Sequence, residues 1–360
     1  MTPFPTHIST ATAPRARGAE FGARWSAETR AAVTAYTDLF AALGATGAQV
    51  RGWAGQALDR TAAWAPDLAV EMAGLAAGAG LEPWQVAALN ARTEILAALR
   101  DGGEGECSTS VALPGGGRPP RTLQTWDWLD GMRDVGVLWE YEPRPGRRVR
   151  TFTEFGVLAK IGVTGGGLGA HFNILKHTSD GGDIGVPVHL LVRRILDEAD
   201  DLDAAVAILR GARTSASSVI TVVTWDGERA DARALEVSPA GLGVVAPDAD
   251  GLLLHTNHFL DPALAPGERL GTDRPGTYAR YTHLSGRARE LWDTDPTGRA
   301  KAMVAHLPDG APVCAHSDPA DPPDQRWDTL ATIGLDLPAG RLEVHRGGPC
   351  GVTPTTWQTF

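Results

Sequence analysis

The sequence predicts an α+β fold of four layers, in which two largely antiparallel sheets pack face to face and are covered by helices. Three patterns lead to this prediction. Apolar residues recur every three or four positions from about residue 24 to residue 100, which is typical of helices. From Ser108 the pattern changes to short strands separated by Gly and Pro. A helical stretch at 187–210 then divides two runs of strands, as in a layered α+β domain.

The helical region is interrupted at three places, which predicts three or four helices of ordinary length. The breaks fall at residues 44–47, 65–66 and 78–83, because Gly and Pro end helices. The next segment, residues 101–106, is polar and rich in glycine, and we expect it to form an exposed loop. Cys107 follows this loop directly.

The strands expected after Cys107 form two runs, separated and followed by helices. The first run comprises residues 108–113, 121–128, 137–142, 149–155, 157–163 and 168–175. The intervening helices are expected at 187–198 and 202–210. The second run comprises strands at 217–225, 232–237, 241–245 and 252–258. Helices are expected after it at 281–292 and 298–306, and extended segments at 328–335 and 341–344.

Composition and charge exclude some classes of protein. The chain has 360 residues, of which 43% are hydrophobic, and a net charge of -10. It has no dense run of Lys and Arg of the kind that non-specific nucleic-acid binding requires, so nucleic acid is not expected as a partner. The first 18 residues hold no apolar block long enough for a secretory signal or a membrane span. We therefore expect a cytoplasmic protein without a membrane partner.

The cysteines and histidines show no spacing typical of a disulfide framework or a metal site. The chain has three cysteines, Cys107, Cys314 and Cys350. This number is too small for a disulfide framework and is odd, so at least one thiol stays free, and no Cys-x-x-Cys pair occurs. No His-Glu-x-x-His motif is present, and His255 and His258, three positions apart on a predicted strand, would face opposite sides. Neither a metal nor a cofactor is expected.

Cys107 stands where self-cleavage would make it a nucleophile. If its thiol attacks the carbonyl carbon of Glu106, the peptide bond rearranges to a thioester, and hydrolysis then frees the α-amine of Cys107. An α-amino group titrates near about pH 8, so it can accept a proton from the thiol beside it. The alternative interpretation is an ordinary buried cysteine at the start of a strand.

Two polar residues further along the chain suit the same chemistry. Asp127 lies between Trp126 and Trp128 at the end of the second predicted strand, which a hairpin brings back beside Cys107. A carboxylate flanked by aromatic residues needs a charged partner, and a freed α-ammonium is one. Asn257 follows an apolar strand, and its side-chain N–H is suited to an oxyanion hole, which stabilises the negative charge of a tetrahedral intermediate.

These motifs together resemble the isopenicillin N acyltransferase family of N-terminal-nucleophile (Ntn) hydrolases. The resemblance runs from about residue 85 to residue 346 and is carried, in order, by Glu106-Cys107, Trp126-Asp127-Trp128, Thr256-Asn257-His258-Phe259 and Arg326-Trp327-Asp328-Thr329-Leu330. It implies the αββα Ntn sandwich with a helical N-terminal fragment. It also implies that Cys107 is the nucleophile, that Asp127 orients the freed amine, that Asn257 supplies the oxyanion hole, and that Arg326 balances the charge of the active carboxylate.

The resemblance further implies an inactive precursor that cleaves itself between Glu106 and Cys107. The products would be a helical fragment, 1–106, and a catalytic fragment, 107–360, which stay associated. The catalytic fragment would form an acyl-enzyme from a small-molecule amide or acyl thioester, with acyl-coenzyme A as one acyl donor. The substrate pocket would be lined by Trp126, Trp128, His258, Phe259 and Asn173. Glu106 departs from the family pattern, since the fungal acyltransferase has glycine there.

Two other functions remain open on the sequence alone. One is a small-molecule binding protein of the same family that has lost self-processing, for which Glu106 is the supporting feature. The other is a papain-like hydrolase in which His258 serves Cys107 as base without self-cleavage. The sequence does not encode the substrate, nor whether water or an amine resolves the acyl-enzyme.

Overall fold

The computed structural model describes residues 2–99 and 106–360. Its helices in these ranges are α1 (Pro14–Arg24), α2 (Ser26–Ala42), α3 (Gly47–Trp64), α4 (Pro66–Ala79), α5 (Pro83–Asn90), α6 (Arg92–Leu99), α7 (Val188–Glu198), α8 (Leu202–Arg210), α9 (Leu270–Asp273), α10 (Gly276–Gly286) and α11 (Pro296–Met303). No helix of the described residues is long and apolar enough to cross a bilayer.

The three predicted interruptions of the helical region are confirmed. The Thr46 side chain caps the start of α3, and Pro66 occupies the first turn of α4, where its missing N–H costs nothing. Gly80 ends α4 with a φ of +67°, a conformation that glycine adopts without strain. A further boundary at Ala91, between α5 and α6, carries neither Gly nor Pro, and the sequence pattern does not reveal it. Of the predicted loop at 101–106, residues 101–105 lie outside the described residues.

The strands follow the predicted order closely. They are β1 (Thr6–Ile8), β2 (Cys107–Ala112), β3 (Arg121–Leu129), β4 (Gly136–Tyr141), β5 (Val149–Glu154), β6 (Ile161–Thr164), β7 (Leu168–Ile174), β8 (Ser218–Trp225), β9 (Ala230–Ser238), β10 (Gly241–Val245), β11 (Leu252–His255), β12 (Trp327–Asp336), β13 (Arg341–Arg346) and β14 (Gln358–Thr359). β11 ends before residue 258, because the hydroxyl of Thr256 and the N–H of Asn257 turn away to bond Thr277.

The four-layer αββα sandwich is confirmed. Within the described residues one sheet has the order β1-β4-β5-β6-β7-β8-β9-β10 and the other the order β11-β2-β3-β12-β13-β14. The sheets pack on each other through β2 against β7 and through β13 against β5 and β6. On the outer faces, α7 and α8 cover the first sheet, and α10 and α11 cover the second. Only β1 and β4 pair in parallel among the described strands.

The N-terminal region is built into this sandwich. β1, although it lies near the start of the chain, forms the edge strand of the larger sheet beside β4. Arg17 of α1 and Arg193 of α7 both bond the buried carboxylate of Glu71 on α4, with Arg193 Nη2 2.8 Å from Glu71 Oε2. The buried charges thus join the helices that precede Cys107 to a helix that follows it.

Candidate active site

Cys107 begins β2 in the smaller sheet, opposite Trp126 of β3. Residues paired across two strands project to the same face, and the next residues project to the other face. The face of Cys107 and Trp126 is turned toward the other sheet, because the Trp126 ring contacts Phe152 of β5 edge to face, with 5.3 Å between the ring centroids. Glu106 and Asp127 share the opposite face and line one cavity. Cys107 itself is only 3% exposed.

The backbone around the Glu106–Cys107 bond is held by Asn257 and Arg280. The Cys107 N–H donates to Asn257 Oδ1 at 2.8 Å, and Arg280 Nη1 donates to the Cys107 carbonyl oxygen at 2.7 Å. Arg280 Nη2 also donates to Asn257 Oδ1 at 3.0 Å, and its Nε lies 3.4 Å from a carboxylate oxygen of Glu106. Arg280 is fully buried on α10. One guanidinium therefore contacts both residues that flank the bond.

Asn257 is fixed by its own backbone and side-chain bonds. Its N–H donates to the hydroxyl of Thr277, and its Nδ2 donates to the carbonyl oxygen of Ile174, both at 2.8 Å. The amide oxygen, rather than the amide nitrogen expected of an oxyanion hole, therefore faces the Cys107 nitrogen. In this arrangement Asn257 accepts from the group that would become the α-amine of Cys107.

Asp127 is a buried carboxyl group, and few neighbouring groups offset the cost of its negative charge. Burial raises the pKa of the Asp127 carboxyl well above its usual range, and the positive charge of Arg280 and the hydroxyl of Thr329 lower it only in part. Among the described residues, no donor bonds either carboxylate oxygen with good geometry. An ionised carboxylate in such a position is costly until a cation comes beside it.

The thiol of Cys107 has no histidine to activate it. Burial and the negative charge of Asp127 raise the pKa of the Cys107 thiol to about 12. His258 Nδ1 instead lies 3.1 Å from the hydroxyls of both Thr256 and Thr277, and burial lowers its pKa to about 4. In the described part of the chain no hydrogen bond joins His258 to Cys107, so the geometry does not support a papain-like pair.

A cluster of buried charges lies behind Cys107, between the two sheets and the N-terminal helices. Glu154 of β5 accepts from Lys160 Nζ at 2.7 Å and from the Tyr36 hydroxyl at 2.9 Å, and it pairs with Arg92. Lys160 Nζ lies 3.8 Å from the centre of the Trp126 ring. Burial and the charge of Arg92 lower the pKa of Lys160 well below its usual range. The sequence carries no motif that reveals this cluster.

A cavity of about 410 Å³ opens beside the face that Glu106 and Asp127 share. Its walls combine apolar and polar side chains. They come from Glu106, Asp127, Arg274, Trp327, Gln325 and the segment between residues 306 and 321. The cavity therefore meets the predicted cleavage site from the side away from the other sheet.

The structure does not bring Arg326 to Cys107. The guanidinium of Arg326 donates to the backbone carbonyls of Asp321 and Pro319, at 2.7 Å each, at the exposed start of β12. Arg280, instead of Arg326, is the arginine whose positive charge acts on the Asp127 carboxyl. Sequence reasoning missed Arg280 because the helix that carries it begins at Gly276, five residues before the predicted start at 281.

The residues predicted to line a substrate pocket are all buried, and none of them lines the cavity beside Asp127. They are Trp126, Trp128, Phe259, His258 and Asn173. Trp128 packs edge to face on Trp327, and Phe259 packs on His177. Asn173 donates to the Thr256 carbonyl oxygen at 3.1 Å, so it holds the turn that positions Asn257.

Comparison with known proteins finds a matching family and curated relatives. The family described as acyl-coenzyme A:6-aminopenicillanic acid acyl-transferase matches residues 152–349. The acyl-coenzyme A:6-aminopenicillanic-acid-acyltransferase 40 kDa form of Emericella nidulans is 29% identical over 295 residues, which cover 81% of this chain and 78% of that protein.

Solved structures give more distant matches. The N-acylethanolamine-hydrolyzing acid amidase ortholog of Caenorhabditis elegans has a TM-score of 0.45 and 12% identity, over 64% of this chain and 93% of that chain. Penicillin V acylase from Agrobacterium tumefaciens has a TM-score of 0.42 and 15% identity, over 69% of this chain and 84% of that chain.

Proposed function

The chain belongs to the acyl-coenzyme A:6-aminopenicillanic acid acyl-transferase family, and from this premise we propose that it cleaves its own Glu106–Cys107 bond and then uses Cys107 as an N-terminal nucleophile. It is an enzyme of the acyltransferase and amidohydrolase class. The observation that carries the proposal is the contact of the Arg280 guanidinium with the carboxylate of Glu106 and the carbonyl oxygen of Cys107. The uncompensated carboxyl of Asp127 lies on the same face as Glu106.

Self-cleavage would proceed by an acyl shift from nitrogen to sulfur. The Cys107 sulfur attacks the carbonyl carbon of Glu106, and the C–N bond breaks as the nitrogen takes up the thiol proton. Water then hydrolyses the thioester, which leaves a carboxylate on Glu106 and both a free amine and a free thiol on Cys107. Arg280 and Asn257 would support this step by fixing the backbone of Cys107 and the side chain of Glu106 next to the attacked carbonyl.

Cleavage would supply the cation that Asp127 lacks. The new α-ammonium of Cys107 would lie next to the Glu106 position, which is opposite Asp127 in the pairing of β2 with β3, and would there compensate the buried charge. An unperturbed α-amino group has a pKa of about 8, so near pH 7 a fraction of the Cys107 amine is neutral. The neutral amine can then take the thiol proton, so no histidine is required for nucleophile activation.

In turnover, the Cys107 sulfur attacks the carbonyl carbon of a small-molecule amide or acyl thioester. The amine of Cys107 takes the thiol proton and returns it to the leaving amine or thiol, and an acyl-enzyme forms. Asn257 would hold that amine through Oδ1; its Nδ2, which donates to the carbonyl oxygen of Ile174, is our candidate oxyanion donor after cleavage. Water or an acceptor amine then attacks the acyl-enzyme and regenerates Cys107.

The two fragments would stay together after the cut. Arg92 and Tyr36 from the N-terminal helices reach the buried Glu154 of β5, and β1 forms an edge of the larger sheet. Removing one partner from such a buried ionic contact costs about 3–5 kcal/mol, which strongly opposes separation of the fragments. The product is thus a heterodimer of 1–106 and 107–360.

The cavity beside Asp127 is the proposed approach for the substrate; Glu106 and Asp127 line it, whereas the Cys107 side chain lies on the other face of β2. The cavity volume of about 410 Å³ suits a small molecule. Leu307, Pro308, Pro312 and Trp327 give it apolar walls, and Arg274 provides one positive charge. An acyl-coenzyme A thioester is one donor consistent with the name of the fungal relative.

Mass measurement on the purified full-length chain tests the proposal. Fragments of 106 and 254 residues, the second beginning with Cys107, are the expected products. A full-length species that persists on incubation would favour the alternative of a processing-deficient binding protein.

A further inference from the structure

We propose that His306, His316 and Cys350 form a zinc site at the rim of the cavity beside Asp127. One ligand atom from each of the three side chains lies within 4.8 Å of the other two. His306 follows α11, His316 lies in the segment before β12, and Cys350 lies in the short turn after β13. The fold thus brings two histidines of the segment between α11 and β12 to a cysteine that follows β13, and a structural metal stabilises such an arrangement.

The distances suit a tetrahedral metal. Zinc binds imidazole nitrogen at about 2.1 Å and thiolate sulfur at about 2.3 Å, so two such ligands at a tetrahedral angle are separated by about 3.6 Å. His316 Nε2 lies 3.5 Å from Cys350 Sγ. The rings of His306 and His316 lie 5.3 Å apart between centroids, and one nitrogen of each lies within 4.8 Å of the other and of Cys350 Sγ, which is close enough for both to bind one ion. Two imidazoles and one thiolate are ligands that bind zinc in preference to calcium or magnesium, which favour oxygen ligands.

Carboxylates stand behind both histidines, which is a second and independent observation. Asp309 Oδ2 lies 3.6 Å from His306 Nδ1, and Asp328 Oδ1 lies 3.9 Å from His316 Nδ1. Histidines that bind zinc commonly direct their other nitrogen to a carboxylate, which fixes the tautomer and the ring orientation. Each carboxylate therefore leaves Nε2 as the nitrogen that faces the metal.

The fourth coordination position would face the cavity. His306 and His316 line its wall together with Glu106 and Asp127. Water from the cavity can occupy that position, as it does in zinc sites with three protein ligands. The metal would tie the segment between α11 and β12 to the end of β13 and so fix one wall of the cavity. This role does not depend on self-cleavage.

Cobalt binding to the full-length, reduced and chelator-treated protein tests the site. Cobalt(II) is a spectroscopic substitute for zinc, and bonding to Cys350 gives a thiolate charge-transfer band. We expect one equivalent to bind, with visible bands of a tetrahedral ion, and zinc to displace it. Cys350→Ser should lose the charge-transfer band, and His316→Ala should weaken cobalt binding at least tenfold.

Matched controls separate the site from other thiols and imidazoles. Cys107→Ala and His283→Ala should keep the band, since neither residue belongs to the cluster. Asp328→Asn, which removes the carboxylate behind His316 together with its ion pair to Arg133, should weaken cobalt binding about tenfold or more, whereas Arg133→Gln, which removes the ion pair alone, should leave it unchanged. Circular dichroism identifies any variant that fails to fold.

The result that would overturn the site is equally direct. It is overturned if the reduced protein binds no cobalt, or if the charge-transfer band persists in Cys350→Ser and disappears in Cys107→Ala. Because the readout is binding rather than turnover, a failure here leaves the proposed self-cleavage untouched, and a failure to cleave leaves the metal site untouched.

Discussion

Arg280 and Cys107 are joined by a buried hydrogen bond of 2.7 Å, from the guanidinium Nη1 to the carbonyl oxygen. The same guanidinium lies 3.4 Å from the carboxylate of Glu106 and donates to Asn257 Oδ1. A planar guanidinium can bond several acceptors in fixed directions, which a lysine ammonium cannot do as well. Arg280 thus sets the geometry around the Glu106–Cys107 bond and gives Glu106, the departure from the fungal pattern, a specific partner.

Arg280→Gln should slow self-cleavage about 100-fold. The loss of charged hydrogen bonds worth about 1.5–3 kcal/mol each would let the attacked carbonyl shift away from the thiol. The fraction of cut chain over time, measured on denaturing gels, reports the rate. Arg326→Gln is the matched control and should cleave at the normal rate, because Arg326 bonds only exposed backbone carbonyls. A normal rate for Arg280→Gln beside a slow rate for Arg326→Gln would reverse the assignment.

Asp127→Asn should reduce turnover without lowering the stability of the uncut chain. The amide removes a buried carboxyl whose pKa burial has raised, so in the uncut Cys107→Ala background the melting temperature at pH 7 should stay the same or rise. Turnover should fall by about 10²–10⁴-fold, because the Cys107 amine loses the group that orients it. Thiol release from acyl-coenzyme A thioesters and thermal melting give the two readouts. A variant that melts lower and keeps full activity would assign Asp127 to structure alone.

Glu154→Ala should weaken the contact between the two fragments. It removes the carboxylate that Lys160, Arg92 and Tyr36 share and leaves two buried cations unpaired. Unfolding free energy should fall by about 3–5 kcal/mol. Gel filtration after cleavage checks the association, with Glu198→Ala, an exposed carboxylate on α7, as the control. Equal stability of both variants would contradict a role for the cluster in joining the fragments.

Glu94 should make stability depend on pH. Burial raises the pKa of this carboxyl to about 8, above its value of 4.5 in the unfolded chain. A folded pKa that is raised means that the stability contribution is complete below about pH 4.5 and is lost as pH rises through about 8. Glu94→Gln should therefore melt at a higher temperature than the wild type at pH 9, with a smaller difference at pH 6. Equal pH dependence of the two proteins would contradict this.

Sequence periodicity was sufficient for the layered architecture, because apolar residues repeat differently in helices and strands. The boundaries of the helical region at 44–47, 65–66 and 78–83 follow from Gly and Pro. β1 was missed because three residues, of which one is buried, carry too little pattern. The break at Ala91 was missed because no residue type there disfavours a helix.

The candidate site was only partly accessible to sequence reasoning. Cys107, Asp127 and Asn257 stand in strands or directly after them, so strand pairing brings them together. Arg280 lies on a helix whose start was placed one residue too late to include it. Arg326 belongs to the quoted motif, but its side chain bonds a local turn instead of reaching the site. The cluster of His306, His316 and Cys350 has no spacing typical of a metal motif, because Cys350 lies 34 residues after His316 and on the far side of two strands.

The control for self-cleavage is the variant Cys107→Ala. It keeps the fold around Arg280 and Asn257 but lacks the attacking thiol, so it should remain uncut. A cut at the same bond in Cys107→Ala would assign the cleavage to another protease and would exclude the acyl shift.

Intact mass of the purified wild-type protein tests the central claim most directly. Self-cleavage predicts two masses that sum to the full chain plus one water, with the larger fragment beginning at Cys107. A single full-length mass that does not change on prolonged incubation, or fragments that begin at another residue, would contradict it.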